Sequence, residues 1–282
     1  FTTMMLHHGH KLDTDNRARA PPIFQTTSFE FKSAEHGGAL FELSQLGPIY
    51  TRICNPTTHV FEYKVAKLEG APCKAHGNFD NAATLPNSLA VASGQCAQMT
   101  ALLTFMQAGD NFIAASELYG GTLSQMKHSF KTIGITAKFF EVTKPEQIKG
   151  MADANTKAIY IEALANPSYN IPDFDAIAAI AKELQVPLVV DNTFGMCGAV
   201  CSPIKFGADI TQKQYPPRVI VHIGSYTGVT GGFSFRARRR VVVPSKIPSQ
   251  IPCRRMRKEE LLCLDRSRRV DANVHARISP LR

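Results

Sequence analysis

The sequence predicts an α/β fold, a mostly parallel sheet with helices on both faces, and two observations predict it. Between about residues 88 and 210, short β-branched apolar runs alternate with amphipathic helical stretches. Repeated βα units build a parallel sheet, because each strand returns through a helix to lie beside another strand. A chain of 282 residues with 44% hydrophobic content is also long enough to bury one sizeable core.

The elements follow in order. A helix is expected over 59–69, then a stretch over 70–87 without periodicity (GAPCKAHGNFDNAATLPN). Residues 88–93 read as a strand, followed by a helix with Met99, Leu102, Leu103 and Met106 on one face. Strands at 111–116 and 136–142 flank a helix over 119–132 that ends before Gly134. A short helix over 145–151 precedes a strand at 157–162. Asp173 caps a helix whose apolar face is Ile177, Ile180, Ala181 and Leu184, and a strand at 186–191 closes the series. Beyond Thr211 the rhythm fades into Pro216-Pro217, a Gly/Thr-rich run and Arg236-Ala237-Arg238-Arg239-Arg240. The expected organisation is an N-terminal arm over 1–58, an α/β domain over 59–210 with an atypical insertion at 71–87, and a basic tail over 211–282. That tail is read as disordered or as not native coding sequence.

Charge and cysteine usage narrow the class. The net charge is +9, but residues 233–282 hold fourteen basic against four acidic side chains. The tail therefore carries +10 and the remaining chain −1, so the nucleic-acid reading concerns the tail alone and is set aside for the body. No run of 18 apolar residues argues for a membrane span. The chain starts on Phe1 without a basic-then-apolar leader, so no signal peptide is expected and the start is read as missing or displaced. Seven cysteines, an odd number, fit reduced thiols in a cytoplasmic protein better than a disulfide framework. Cys197 and Cys201 lack a matching Cys/His pair, so no metal site is expected.

Ligands of parallel sheets sit beyond the carboxyl ends of the strands, so polar residues there are the site candidates. Ser93-Gly94-Gln95 begins a helix, where glycine permits close approach and free N–H groups favour a phosphate. Tyr119, in Leu118-Tyr119-Gly120-Gly121-Thr122, offers a ring for stacking or caps a helix at the surface. Asn166, held extended before Pro167, donates to a ligand oxygen or belongs to an ordinary turn. Asp191 follows an apolar strand, a costly position unless a cation such as a pyridinium nitrogen neutralises it or the carboxylate caps the next turn. Tyr50 and Arg52, two apart in a segment read as extended, point to one side and could grip a phosphate; a surface pair is the alternative.

Each signal is weak alone, but their order and spacing are specific. YTRxxNPT, SGQ, LYGGT, NP and VVDNT resemble the Cys/Met-metabolism pyridoxal-phosphate enzymes over residues 6–209. That family includes cystathionine synthases and lyases, methionine lyase and homoserine sulfhydrylases. Residues 20–29 (APPIFQTTSF), 34–43 and 47–53 are most similar to O-acetylhomoserine sulfhydrylases, since the cystathionine lyases usually have a serine at the position of Thr51. The resemblance implies the large domain of fold-type I transferases, a pyridoxal 5′-phosphate cofactor and a homodimer or homotetramer. It implies that Tyr50 and Arg52 reach a neighbouring subunit's phosphate, and that Gly94 and Gln95 bind the phosphate of their own subunit. Tyr119 would stack on the ring and assist proton transfer, Asn166 would contact the 3′ oxygen, Asp191 the ring nitrogen and Thr193 a ring face. The implied reaction eliminates acetate from O-acetylhomoserine and adds sulfide or a thiol, giving homocysteine with sulfide. Cystathionine synthase or lyase chemistry is the alternative within the family.

The pattern then breaks. Within about ten residues of Asp209 the family carries a Ser-x-Thr-Lys run, whose lysine forms the Schiff base. Here the chain reads Thr211-Gln212-Lys213-Gln214-Tyr215, so Lys213 lies too early and lacks the flanking hydroxyls. Ser225-Tyr226-Thr227-Gly228 has hydroxyls without a lysine, and the C-terminal small domain is missing. A lost reading frame or retained intron after about residue 210 is expected, and a catalytically inactive fragment is the alternative to an active enzyme.

Overall fold

The computed structural model describes residues 1–10, 16–42, 44–71, 88–214 and 231–235, the last five as backbone. The arm carries α1 (Thr2–His7) and α2 (Ala34–Phe41), the latter capped by the Ser33 side chain accepting from the His36 amide. The third helix, α3 (Pro56–Glu69), has both ends written in the sequence. The Asn55 side chain accepts from the Thr57 amide, Pro56 fills the first turn where no N–H is needed, and Gly70 ends the helix at φ +83°.

The α/β body begins at β1 (Ser88–Val91) and α4 (Gly94–Leu103). It continues through β2 (Asn111–Ala115) and a helical stretch of α5 (Gly120–Ser124), a π-helical turn (Gln125–Ser129) and α6 (Phe130–Thr132). Then come β3 (Thr136–Phe140), α7 (Gln147–Met151), β4 (Thr156–Glu162), α8 (Phe174–Leu184) and β5 (Leu188–Asp191). A 3-10 turn (Pro203–Phe206) leads to β6 (Ile210–Gln214), and β7 (Gly231–Phe235) is the last described strand.

The seven strands form one sheet in the order β1-β7-β6-β5-β4-β2-β3. Strands β3, β2, β4, β5 and β6 pair in parallel, and β7 runs antiparallel to both β6 and β1. Central strands covered on both faces must be apolar throughout. All five residues of β2 are buried, as are Ala158, Ile159, Tyr160 and Ile161 of β4 and Leu188, Val189 and Val190 of β5. On α8, the Asp173 side chain accepts from the Ala176 amide and the face carrying Ile177, Ile180 and Ala181 packs on this core. Each fully buried isoleucine contributes about 1.5–3 kcal/mol, so this face outweighs the helix's intrinsic propensity.

Two findings depart from the sequence reading. The helix expected over 119–132 contains a π-helical turn. Regular structure also continues past Thr211. Strand β6 hides because Thr211, Gln212 and Lys213 break the apolar pattern while all three are buried, and Gly231-Gly232 removes any alternation from β7. The insertion beyond Ala71, the run 225–228 and the tail from 236 lie outside the described residues.

Candidate active site

The carboxyl edge of the sheet gathers the candidate residues. In-register neighbours in a parallel sheet share a face, and Glu162 and Asp191, the last residues of β4 and β5, stand side by side with Gln212 in the middle of β6. Beneath them, Gln212 Nε2 donates to the Tyr160 hydroxyl at 3.0 Å, and that hydroxyl donates to Gln98 Oε1 at 2.9 Å. Thr122 Oγ1 also donates to Gln98 Oε1, at 3.3 Å, so α4 and α5 are tied to the strand edge by buried polar contacts. Gln125, in the π-helical turn, bonds Gln98 as well and donates to the Gln95 carbonyl at 3.1 Å.

Asp191 holds two hydrogen bonds to one of its oxygens, from the Thr193 amide at 2.9 Å and the Thr193 hydroxyl at 2.6 Å. Burial pushes its carboxyl above the ordinary range, and those bonds oppose the shift. Glu162 is pushed up to about 7 by burial and then by the neighbouring Asp191 charge. Its two oxygens accept from the Tyr119 amide at 2.7 Å and the Asn166 amide at 3.2 Å. One carboxyl thus fastens the two loops that present Tyr119 and Asn166. Tyr119 is half exposed, and its ring lies so close over Gly121 that a Cβ there would meet Cε1 at 2.6 Å. That same Cβ would lie 3.3 Å from Gln95 Nε2, so Gly121 is where Tyr119 and the start of α4 converge.

Among the described residues, no Lys, Arg or His forms an ion pair with Asp191 or Glu162. Two adjacent acids, Glu162 buried and Asp191 half-buried, without such a partner favour a cationic ligand, and a protonated pyridine nitrogen has that character.

Other predicted residues sit differently. Tyr50 bridges Ser28, but the chain turns immediately after it, with the Ile53 and Cys54 amides donating to the Tyr50 carbonyl. Tyr50 and Arg52 therefore meet through a turn and not through extended alternation, with the guanidinium carbon 5.5 Å from the ring centroid. Thr193 spends its hydroxyl on Asp191 and on the Gln214 amide, which donates to it at 2.9 Å. Gly94 does begin a helix, α4, with the Ser93 side chain accepting from the Cys96 amide. Its own N–H, however, donates to Gln214 Oε1 at 3.0 Å.

Lys213 is on the wrong face. Alternation along β6 puts Gln212 and Gln214 toward the site and turns Lys213 away, where it is buried in an ion pair with Glu69. The same Glu69 carboxylate accepts from Asn192 Nδ2, and burial pulls the Lys213 ammonium well below its ordinary range. The lysine nearest in sequence to the expected position thus joins β6 to α3 and does not reach Asp191.

The residues present therefore fit the ring of a pyridoxal cofactor, but not its phosphate at Gly94 as the side chains stand, nor its covalent link to Lys213. Sequence reasoning missed three residues of this edge. Glu162 was legible as an acid closing an apolar strand. Gln212 and Gln214 carried no such signal, because β6 itself was not recognised. No helix among the described residues is long and apolar enough to cross a membrane, and they contain no cluster of three or more metal-ligating acidic, His or Cys side chains.

An open α/β sheet with adjacent acids at its carboxyl edge is the architecture of the large domains of pyridoxal-phosphate enzymes, and comparisons with known proteins place the chain among them. A Campylobacter jejuni protein assigned as an O-acetylhomoserine (thiol)-lyase, solved with N′-pyridoxyl-lysine-5′-monophosphate, superimposes with a TM-score of 0.72 at 31% identity. The match covers 84% of this chain and 53% of that one. The sequence model of the Cys/Met metabolism PLP-dependent enzymes matches residues 2–214, and the chain belongs to that family. It is 46% identical over 212 residues to the homocysteine/cysteine synthase of Saccharomyces cerevisiae, covering 74% of this chain and 45% of the yeast protein. It is 42% identical to O-acetyl-L-homoserine sulfhydrylase 1 of Thermus thermophilus, covering 74% and 46%. The match thus spans less than half the length of the yeast and Thermus relatives.

Proposed function

We propose that residues 2–214 carry the cofactor-binding part of an enzyme that transfers sulfide onto O-acetylhomoserine to give homocysteine, in the cytoplasm and as a homo-oligomer. The observation that carries this reading is the pair of adjacent acids, buried Glu162 and half-buried Asp191, standing in register with no Lys, Arg or His ion-paired to them among the described residues. Relatives named homocysteine synthase and O-acetylhomoserine sulfhydrylase support the substrate class. In this reading Asp191 pairs with a pyridine nitrogen, Tyr119 covers the ring, Asn166 faces a ring oxygen, and Tyr50 with Arg52 serves the phosphate of a second copy. Bound pyridoxal phosphate would supply an electron sink for elimination and addition at the substrate's carbon chain.

One observation favours a second reading, a chain that keeps this architecture without turnover: Lys213 points away from the edge and is ion-paired with Glu69. Incubating the purified chain with pyridoxal phosphate, O-acetylhomoserine and sulfide separates the two. Homocysteine released over many turnovers supports the enzyme. Cofactor binding without homocysteine supports the inactive chain, and no binding at all refutes both.

A further inference from the structure

The geometry points to Gln214 as an internal stand-in for a phosphate: its carboxamide closes the anion cradle at the start of α4, and a phosphate-bearing ligand must displace it. This rests on reading Ser93-Gly94-Gln95 as the phosphate end of the proposed site.

Three observations converge on that residue. Gln214 Oε1 accepts from the Gly94 amide at 3.0 Å, using an N–H of the first helical turn, which is where an anion gains most from the helix dipole. The rest of the residue lies over the same spot, since a Cβ on Gly94 would meet Gln214 Oε1 at 2.7 Å, Cβ at 2.8 Å and Cα at 3.5 Å. The end of β6 is also pinned, because the Gln214 amide donates to Thr193 Oγ1 at 2.9 Å and Thr193 in turn donates to Asp191. The carboxamide is thus held on Gly94 through the residue that orients the ring-facing acid.

A neutral carboxamide is a weaker partner for a helix start than a dianion. The Gln214 side chain is exposed enough to swing away. Phosphate therefore binds by exchange, and losing the competing hydrogen bond weakens its affinity roughly three- to tenfold relative to an open cradle. The same contact satisfies the Gly94 amide when no anion is bound.

The test uses the full chain and its Gln214→Ala and Gln214→Glu variants, each first shown folded by far-ultraviolet circular dichroism. Equilibrium dialysis then measures inorganic phosphate, pyridoxal 5′-phosphate and phosphate-free pyridoxal. The expected result is three- to tenfold tighter binding of both phosphate-bearing probes to Gln214→Ala and weaker binding to Gln214→Glu, with pyridoxal unchanged. Equal phosphate affinity in wild type and Gln214→Ala overturns the inference. If all forms bind pyridoxal phosphate equally, this inference fails while the cofactor reading survives. If Gln214→Ala tightens inorganic phosphate but no form binds pyridoxal phosphate more tightly than phosphate, the stand-in holds and the cofactor reading fails.

Discussion

Glu162 performs two tasks at once, and its titration exposes them. Its carboxyl is pushed up to about 7, so the folded chain holds this proton more tightly than the unfolded chain, whose glutamate titrates near 4.5. Stability from this group is complete below about pH 4.5 and is lost as pH rises through 7, a swing of order 3 kcal/mol. Glu62 adds to the slope in the same direction, since burial pushes it up to about 8. His59, pulled down to about 4 by burial, slopes the opposite way over much of the same window, so the quantity expected to fall across pH 4.5–7 is the wild-type urea midpoint relative to that of Glu162→Gln. A difference between the two that stays flat or rises over the window contradicts the assignment. The crowding at Gly94 has its own signature. Gly94→Ala is expected to cost about 1–3 kcal/mol, because the new methyl meets Gln214, and pairing it with Gln214→Gly should recover part of that loss.

At the scale of elements, β6 carries the contrast between what the sequence discloses and what it conceals. The cap at Asp173, the apolar face of α8 and the short apolar β5 ending in Asp191 follow local rules, so the reading finds them. Strand β6 obeys no local rule. Its Gln212 and Lys213 are buried because Tyr160 and Glu69, 52 residues and more away in the chain, supply partners. Only the tertiary structure makes those polar residues compatible with a strand. Glu69→Ala is expected to destabilise the chain by about 3–5 kcal/mol, since it leaves a buried ammonium without its carboxylate. Replacing both partners, Glu69→Leu with Lys213→Met, should restore most of that loss in urea denaturation. The π-helical turn at Gln125–Ser129 was invisible for a similar reason, because its Gln125 is held by Gln95 and Gln98 of a separate helix.

The whole molecule pairs a legible site with an illegible boundary. Five short motifs placed Tyr119, Asn166, Asp191 and Gly94 at strand ends and helix starts, and the sheet brings the first three together around Glu162. The family match ends at Gln214, yet the sheet includes β7, which sits between β6 and β1 and joins β1 to the other strands. A chain cut after Gln214 is therefore expected to lose cooperative unfolding, since β1 would be left without a strand partner. A truncated chain melting at the wild-type temperature with the same cooperativity contradicts that role for β7.

The central claim is that this site recognises a pyridoxal ring without holding it through Lys213. Its most direct test is to incubate the chain with pyridoxal phosphate, reduce with borohydride and map modified lysines by peptide mass spectrometry. The account predicts cofactor-dependent absorbance changes but no stoichiometric pyridoxyl group on Lys213. A single pyridoxyl-Lys213 peptide at full occupancy would contradict it, because that side chain would then have left Glu69 and reached the opposite face of β6.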